Sequence, residues 1–541
     1  MMERSWSLEA WLSPEGITRV LPWVKYAFWG LLLALVVILL VRSVTGRSQK
    51  AISRAYRVFF WLVALLFAGL LTYQATWQLA GFVRPEFVTF MKRYNRRPDN
   101  PAANLLRGSI LDVRGRTLAT TDPDVPGRRW YPGGAPFFHI IGYEHPVYGM
   151  SGVEAADHPR LSGMTRDTTP EWEKFRRNLI TRAEIEGTDR VLTLDATLQR
   201  KAHALMKGRR GAVVAIDPSD GAVLVLYSSP SLNPEKLDPA VFTRKDADAS
   251  LLNRALQGLY PPGSTFKVLI AAAALERGVN PQIDCPADGY RFGTGNKPIR
   301  DHEFYDYQRN GRVWPGHGRI GMREAMAKSS NIYFAKLGTQ IGGESVYGMA
   351  VKCGFTRPWL VFEGSAANLS SAAARFPALT DRDVAKTAQI SIGQGDMLAT
   401  PLHMAVLAGA IGRQGVVWSP RLAADQPPVP QEAMFSADTA KALTAMMRHT
   451  VLQGTGRAAD IEGLSVAGKT GTAQNPHGDD HSWFIGFAPS VNPRIAFAVI
   501  VENGGYGSRA AVPVAAELLK AAQVDGYFTR AAGAVPAGGV P

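Results

Sequence analysis

From Pro261 to Gly278 the chain reads PPGSTFKVLIAAAALERG, a helical stretch that is apolar on nearly every side. Such a helix cannot lie on a surface, because other elements must cover it all round. At 541 residues the chain is long enough for this and for more than one domain. Pro261-Pro262-Gly263 holds the chain extended, so the helical pattern starts at Ser264 and runs to Arg277. Ser264 and Lys267 are then i and i+3 on one face, a turn apart. A serine hydroxyl is a poor nucleophile until a base removes its proton. A lysine surrounded by Val268, Leu269, Ile270 and a run of alanines loses hydration, which lowers its pKa and frees it to be that base. The N–H groups at the helix start offer positive potential for an oxyanion, and Gly263 lets a substrate approach the backbone. An ordinary capped helix carries a serine at the same place, so the pattern alone does not decide.

The surrounding elements indicate an α+β fold. VLTLDATLQRKAHALMKG reads as a strand followed by a helix, and GAVVAIDPSDGAVLVLYSSP as a hairpin turning at Asp217-Pro218-Ser219-Asp220-Gly221. Helical patterns fill the middle, over Ser264–Arg277, Arg323–Leu337 and Thr400–Ile411. Strands return in GLSVAGKTGTAQ, HSWFIGFAP and RIAFAVIVENGG, before a last helix over Ala510–Ala522. Strands at both ends with helices between imply one antiparallel sheet closed by the two termini of its domain.

Net charge is +14, which fits nucleic acid, anionic lipid or an acidic polymer. No Arg/Lys-aromatic stripe, finger or phosphate loop supports nucleic acid. There is likewise no HExxH, CxxC pair or GxGxxG after a strand, so neither metal nor cofactor is expected. The N-terminus favours a membrane. Segments 25–44 and 58–81 read as spanning helices, although a secretory signal peptide competes for the first. Arg42, Arg47, Lys50, Arg54 and Arg57 lie between the two apolar cores with no acid, which puts the loop 45–57 in the cytoplasm. The tail 1–24 and everything after about residue 84 then face the periplasm or exterior.

Residues 84–190 read as an extended module. RGSILDVRGRTLATT gives two short strands, Ser109–Val113 and Thr117–Thr121, and EWEKFRRNLITRAEIEG a charged helix starting at Glu171. Cys285 and Cys353 could pair or be buried as small apolar residues. AAQVDGYFTRAAGAVPAGGVP marks 523–541 as a disordered tail.

Two further stretches decide the chemistry. KSSNIYF places Ser329 and Asn331 two positions apart, and VAGKTGTAQ places Lys469, Thr470, Gly471 and Thr472 in a strand-period run. Each alone reads as a turn or a bulge. In this order S-x-x-K, Ser-x-Asn and K-T-G match the catalytic set of penicillin-binding proteins. Together with RGSILDVRGRTLA, YPGGAPFFHIIGY, GMSGVE, NRALQGLYPPGSTFKV and ISIGQGDMLATPLHMA, the chain from about 105 to 520 resembles a class B penicillin-binding protein.

That resemblance implies a transpeptidase domain over 191–522, with an antiparallel five-stranded sheet flanked by helices and a helical subdomain. A pedestal over 84–190 would precede it. It implies a D,D-transpeptidase that cross-links peptidoglycan through a serine acyl-enzyme and is a target of β-lactams. Ser264 would attack the penultimate D-Ala carbonyl and Lys267 would take its proton. Ser329 would relay a proton to the leaving D-Ala, and Asn331 would hold the donor peptide's amide. Lys469 would supply positive potential, Thr470 and Thr472 would bind the terminal carboxylate, and Gly471 marks close approach of backbone or ligand. The N–H groups of Ser264 and Thr472 would form the oxyanion hole. A SEDS glycosyltransferase of the RodA/FtsW kind is the implied partner in the inner membrane. The chain departs from the family in reading as two spanning helices rather than one, and in carrying Arg114 where an Asn is usual. A D,D-carboxypeptidase, a serine β-lactamase and a non-enzymatic β-lactam sensor share parts of the pattern. Elongation and division roles are not separated by it.

Overall fold

The computed structural model describes residues 51–78, 106–125, 128–163, 187–242, 246, 248–292, 297–476 and 478–529. The tail 1–24, the apolar segment 25–44 and the charged helix after Glu171 lie outside the described residues. The chain divides into two units, Met1–Arg96 and Arg97–Pro541.

The first unit contains α1, Ala51–Gln78. Its apolar side chains, among them Phe59, Phe60, Leu66 and Phe67, are exposed, and Thr72 Oγ1 donates to the Ala68 carbonyl at 2.7 Å. Among the described residues no helix is long and apolar enough to cross a membrane.

The second unit is built on five strands: β1 Gly211–Ile216, β2 Val223–Ser229, β3 Ala467–Ala473, β4 His481–Ala488 and β5 Ile495–Val501. They form one antiparallel sheet in the order β3-β4-β5-β1-β2. The N-terminal hairpin thus completes a sheet begun by the C-terminal strands, as expected. The helices that position the site are α2 Ala196–Leu205, α3 Lys267–Glu276, α4 His302–Arg309, α5 Met322–Lys328, α6 Asn331–Ile341, α7 Pro401–Gly412, α8 Ala437–Gln453 and α9 Ala511–Val524. Side chains of β5 alternate between two cores. Ala496, Ala498 and Ile500 join the one containing α3 and α7, while Phe497, Val499 and Val501 join that of α2 and α9. Covering both faces explains why β1, β2 and β5 read as apolar runs.

Residues 84–190 were expected as an extended module, yet the described part packs against the rest of the unit. Ile110, Leu118, Tyr131 and Phe137 belong to the same core as α3. Strands as short as Ile110–Leu111, which replaces the expected Ser109–Val113, cannot bury a core of their own. Glu154, fully buried, accepts from Arg107 at 2.8 Å and Arg129 at 2.7 Å, which joins RGSILDVRGR to GMSGVE. Arg114 pairs with Asp195 at 2.6 Å and with Asp525, so this departure from the family pattern ties the first strands to the chain's far end. The first residues of the expected tail 523–541 are ordered, and 530–541 lie outside the described residues. Val524 closes α9, and buried Tyr527 donates to Asp195 at 2.7 Å.

Two helices differ from expectation. The one beginning at Ser264 opens as a 3-10 turn, Gly263–Phe266, before α3. The one expected over Arg323–Leu337 is two, because Ser329 is left-handed at φ 58° between α5 and α6. Ser330 caps α6, its hydroxyl accepting from Tyr333 N at 3.1 Å. Cys285 and Cys353 are both free and buried.

Candidate active site

A cleft of about 560 Å³ opens beside β3, the edge strand of the sheet. Six of the residues singled out in the sequence line it: Ser264, Ser329, Asn331, Thr470, Gly471 and Thr472. Lys267 and Lys469 lie behind that wall, each with 0% exposure. The fold thus gathers all eight into one place.

Glycines set the nucleophile's position. Gly263 is left-handed at φ 54°, and a Cβ there would come within 2.6 Å of the Thr472 carbonyl. A Cβ on Gly471 would meet Thr265 Cγ2 at 2.8 Å and the Pro262 carbonyl at 3.0 Å. The serine turn and β3 are therefore in backbone contact, which is the close approach expected at Gly471. From the other side Gly393 holds the turn, its carbonyl accepting from Gly263 N at 3.0 Å. The paired glycines of IGQG were the sequence signal for that support.

Ser264 is half-buried, and its hydroxyl makes no hydrogen bond among the described residues. The two lysines converge on Ser329 instead. Lys469 Nζ donates to Ser329 Oγ at 2.8 Å and to the Thr470 carbonyl at 2.9 Å. Lys267 Nζ donates to the Ser329 carbonyl at 2.5 Å and to Asn331 Oδ1 at 2.7 Å, with Ser329 Oγ at 3.4 Å. The left-handed Ser329 turns both its carbonyl and its hydroxyl towards these amines. Asn331 was expected to hold a donor amide. It has both ends of its side chain engaged, since Nδ2 donates to the Arg300 carbonyl at 2.9 Å. One lone pair and one N–H of that amide remain for a ligand. Thr470 shares a hydroxyl–hydroxyl hydrogen bond with Thr455, also on the cleft wall.

Burial pushes the Lys267 amine down to about 7, against the opposing pull of the Asp301 and Glu303 carboxylates. Burial also holds Lys469 well below the usual lysine range, and the neighbouring Lys267 lowers it further. Lys469 was expected to stay charged. The direction is the reverse, because its amine is fully enclosed without a carboxylate partner among the described residues.

Sequence reasoning missed Asp301. This buried carboxylate accepts from Ser330 Oγ at 2.9 Å, from Ile332 N at 3.1 Å and from Asn331 N. It satisfies the open N–H groups at the start of α6 and fixes the Ser-x-Asn segment. A lone aspartate some thirty residues away carries no local signal.

The arrangement offers an accessible hydroxyl beside a strand edge, with an amine behind it that is neutral over part of the physiological range. These are the parts of an acyl-transfer site. The family description "Penicillin binding protein transpeptidase domain" matches residues 211–520. The chain is 30% identical over 462 residues to the peptidoglycan D,D-transpeptidase PbpA of Mycolicibacterium smegmatis, covering 78% of this chain and 89% of that one. It is 31% identical over 450 residues to the peptidoglycan D,D-transpeptidase MrdA of Acinetobacter baumannii, covering 71% and 64%. Among solved structures it resembles penicillin-binding protein A of M. tuberculosis in a ceftriaxone acyl-enzyme complex. There the TM-score is 0.68 at 28% identity, covering 78% of this chain and all of that one.

Proposed function

The chain belongs to the penicillin-binding protein transpeptidases, and on that premise we propose that Ser264 is its nucleophile. It is a serine-type peptidoglycan D,D-transpeptidase and a target of β-lactams. The observation that carries the assignment is the placement of Ser264 on the cleft wall with Lys267 enclosed one turn behind it.

Ser264 Oγ attacks the penultimate D-Ala carbonyl while Lys267, neutral above about pH 7, accepts the hydroxyl proton. The N–H groups of Ser264 and Thr472 receive the developing oxyanion. The peptide C–N bond breaks, an ester to Ser264 remains, and Ser329 passes a proton to the departing D-Ala amine. The contact of both lysines with Ser329 supports this relay, since it offers a route between two amines. Thr470 and Thr472 bind the terminal carboxylate, with the Lys469 amine enclosed behind them. Asn331 holds the donor amide, and Gly471 allows the donor backbone to lie against β3. An amine from a second stem peptide then attacks the ester, an amide forms and the serine hydroxyl is regenerated.

Segments 25–44 and 58–81 cross the inner membrane in this reading, with the transpeptidase domain outside. The exposed apolar surface of α1 and the internally satisfied Thr72 hydroxyl support the second span. A RodA/FtsW-like SEDS glycosyltransferase is the proposed partner, since cross-linking consumes nascent strands that a polymerase must supply. The test combines the full-length protein with a purified SEDS enzyme and lipid-linked precursor, followed by mass spectrometry of the muropeptides. Cross-linked dimers that disappear with penicillin are expected. Trimmed monomers alone would mean a carboxypeptidase.

A further inference from the structure

The wall of the cleft facing β3 carries an arginine that the chemistry above does not use. Arg300 lines the cleft, and its main chain is part of the active centre, because its carbonyl accepts from Asn331 Nδ2 at 2.9 Å. Its side chain is held in a fixed pose. The guanidinium carbon lies 4.0 Å from the Phe304 ring centroid, and Nε donates to the Asp288 carbonyl at 3.4 Å. Gly289 leaves room for the stem, since a Cβ there would come within 2.8 Å of Arg300 Cγ. Among the described residues no carboxylate pairs with this guanidinium, and its two terminal nitrogens have no acceptor. Arg309 on the same wall differs, because it is already matched to Asp306.

We infer that Arg300 is a specificity residue whose two terminal nitrogens receive a carboxylate of the donor stem peptide upstream of its D-Ala-D-Ala end. A half-buried guanidinium stacked on a ring and lacking a partner is a ready fork for a planar carboxylate. Stacking on Phe304 fixes the fork before the ligand arrives, which reduces the ordering cost of binding. The terminal carboxylate does not compete for it, because the assignment above takes that group to Thr470 and Thr472. The inference rests on that donor-cleft reading and adds the chemical class of donor it prefers, an anionic peptide.

Two carboxylates of a stem peptide could be the ligand: that of the second residue and that on the side chain of the third. The full-length protein in detergent is therefore given three synthetic pentapeptides ending in D-Ala-D-Ala. One has all carboxylates free, one is amidated at the second residue, and one at the third. D-Ala release is measured with a D-amino acid as acceptor. One amidated peptide should react about tenfold more slowly than the free one, as for loss of a hydrogen bond to a charged group. Arg300→Gln should slow the free peptide to that same level and remove the difference between the two. Arg300→Lys should keep part of it, and a thermal melt confirms that the variants are folded. Equal rates for all three peptides with the wild-type protein, or uniform slowing of all three by Arg300→Gln, would overturn the inference alone. No D-Ala release from any peptide would overturn the donor-cleft reading with it.

Discussion

Lys469 Nζ donates a 2.8 Å hydrogen bond to Ser329 Oγ. That bond joins the edge strand of the sheet to the break between two helices. Lys267 reaches the same serine from the opposite element, so two amines share one hydroxyl behind the cleft wall. Two cations in that space would repel, which is why one of them must be neutral before the nucleophile is activated.

Ser264→Ala should abolish covalent labelling by a fluorescent penicillin. Peptide mapping of the labelled wild-type protein checks the assignment. Label on another residue, or undiminished label on the variant, would refute it.

Acylation should depend on pH through Lys267. Its amine sits at about 7 in the folded protein, so the acylation rate should climb as pH rises through 7 and level off above it. The same depression bears on stability. Between about 7 and the unperturbed 10.5 the unfolded chain binds more protons than the folded one, so stability should increase with pH across that window. A rate that falls from pH 6 to 8 would contradict the base assignment.

Lys267→Arg keeps a cation that cannot give up its proton, so acylation should drop about a hundredfold or more. The burial of Lys469 extends the expectation to Lys469→Arg. A bulkier group that is always charged has no partner in that enclosure, so this variant should lose acylation too. Stopped-flow measurements with penicillin on both variants decide the matter. Near-normal rates for Lys469→Arg would show that the amine works charged.

Asp301→Asn removes the anionic cap of α6 and one carboxylate that holds the Lys267 pKa up. The midpoint of the pH–acylation profile should move below 7, while the plateau falls about tenfold as Asn331 loses its anchor. A lower plateau with an unshifted midpoint would leave Asp301 a purely structural role.

Gly471→Ala should force β3 away from the serine turn, because its Cβ meets the Pro262 carbonyl at 3.0 Å. Overpacking of this kind costs about 1–3 kcal/mol. Acylation should fall about tenfold with a drop of a few degrees in Tm. Unchanged acylation would mean that this backbone contact does not set the nucleophile's position.

Much of this protein was legible in its sequence because the relevant physics is local. The apolar runs of β1, β2 and β5, the glycine turns and the Ser264–Lys267 spacing each follow from periodicity or from backbone freedom. The three motifs were readable as one site only through their order along the chain. Tertiary structure decided the rest. It split the helix at Ser329, packed the first short strands into the transpeptidase core and enclosed Lys469 until its charge became unfavourable. It also brought Asp301 beneath the Ser-x-Asn segment and Arg300 beside the cleft. Desolvation, and pairing between residues distant in sequence, depend on which surfaces meet in space, and no local pattern of side chains records that.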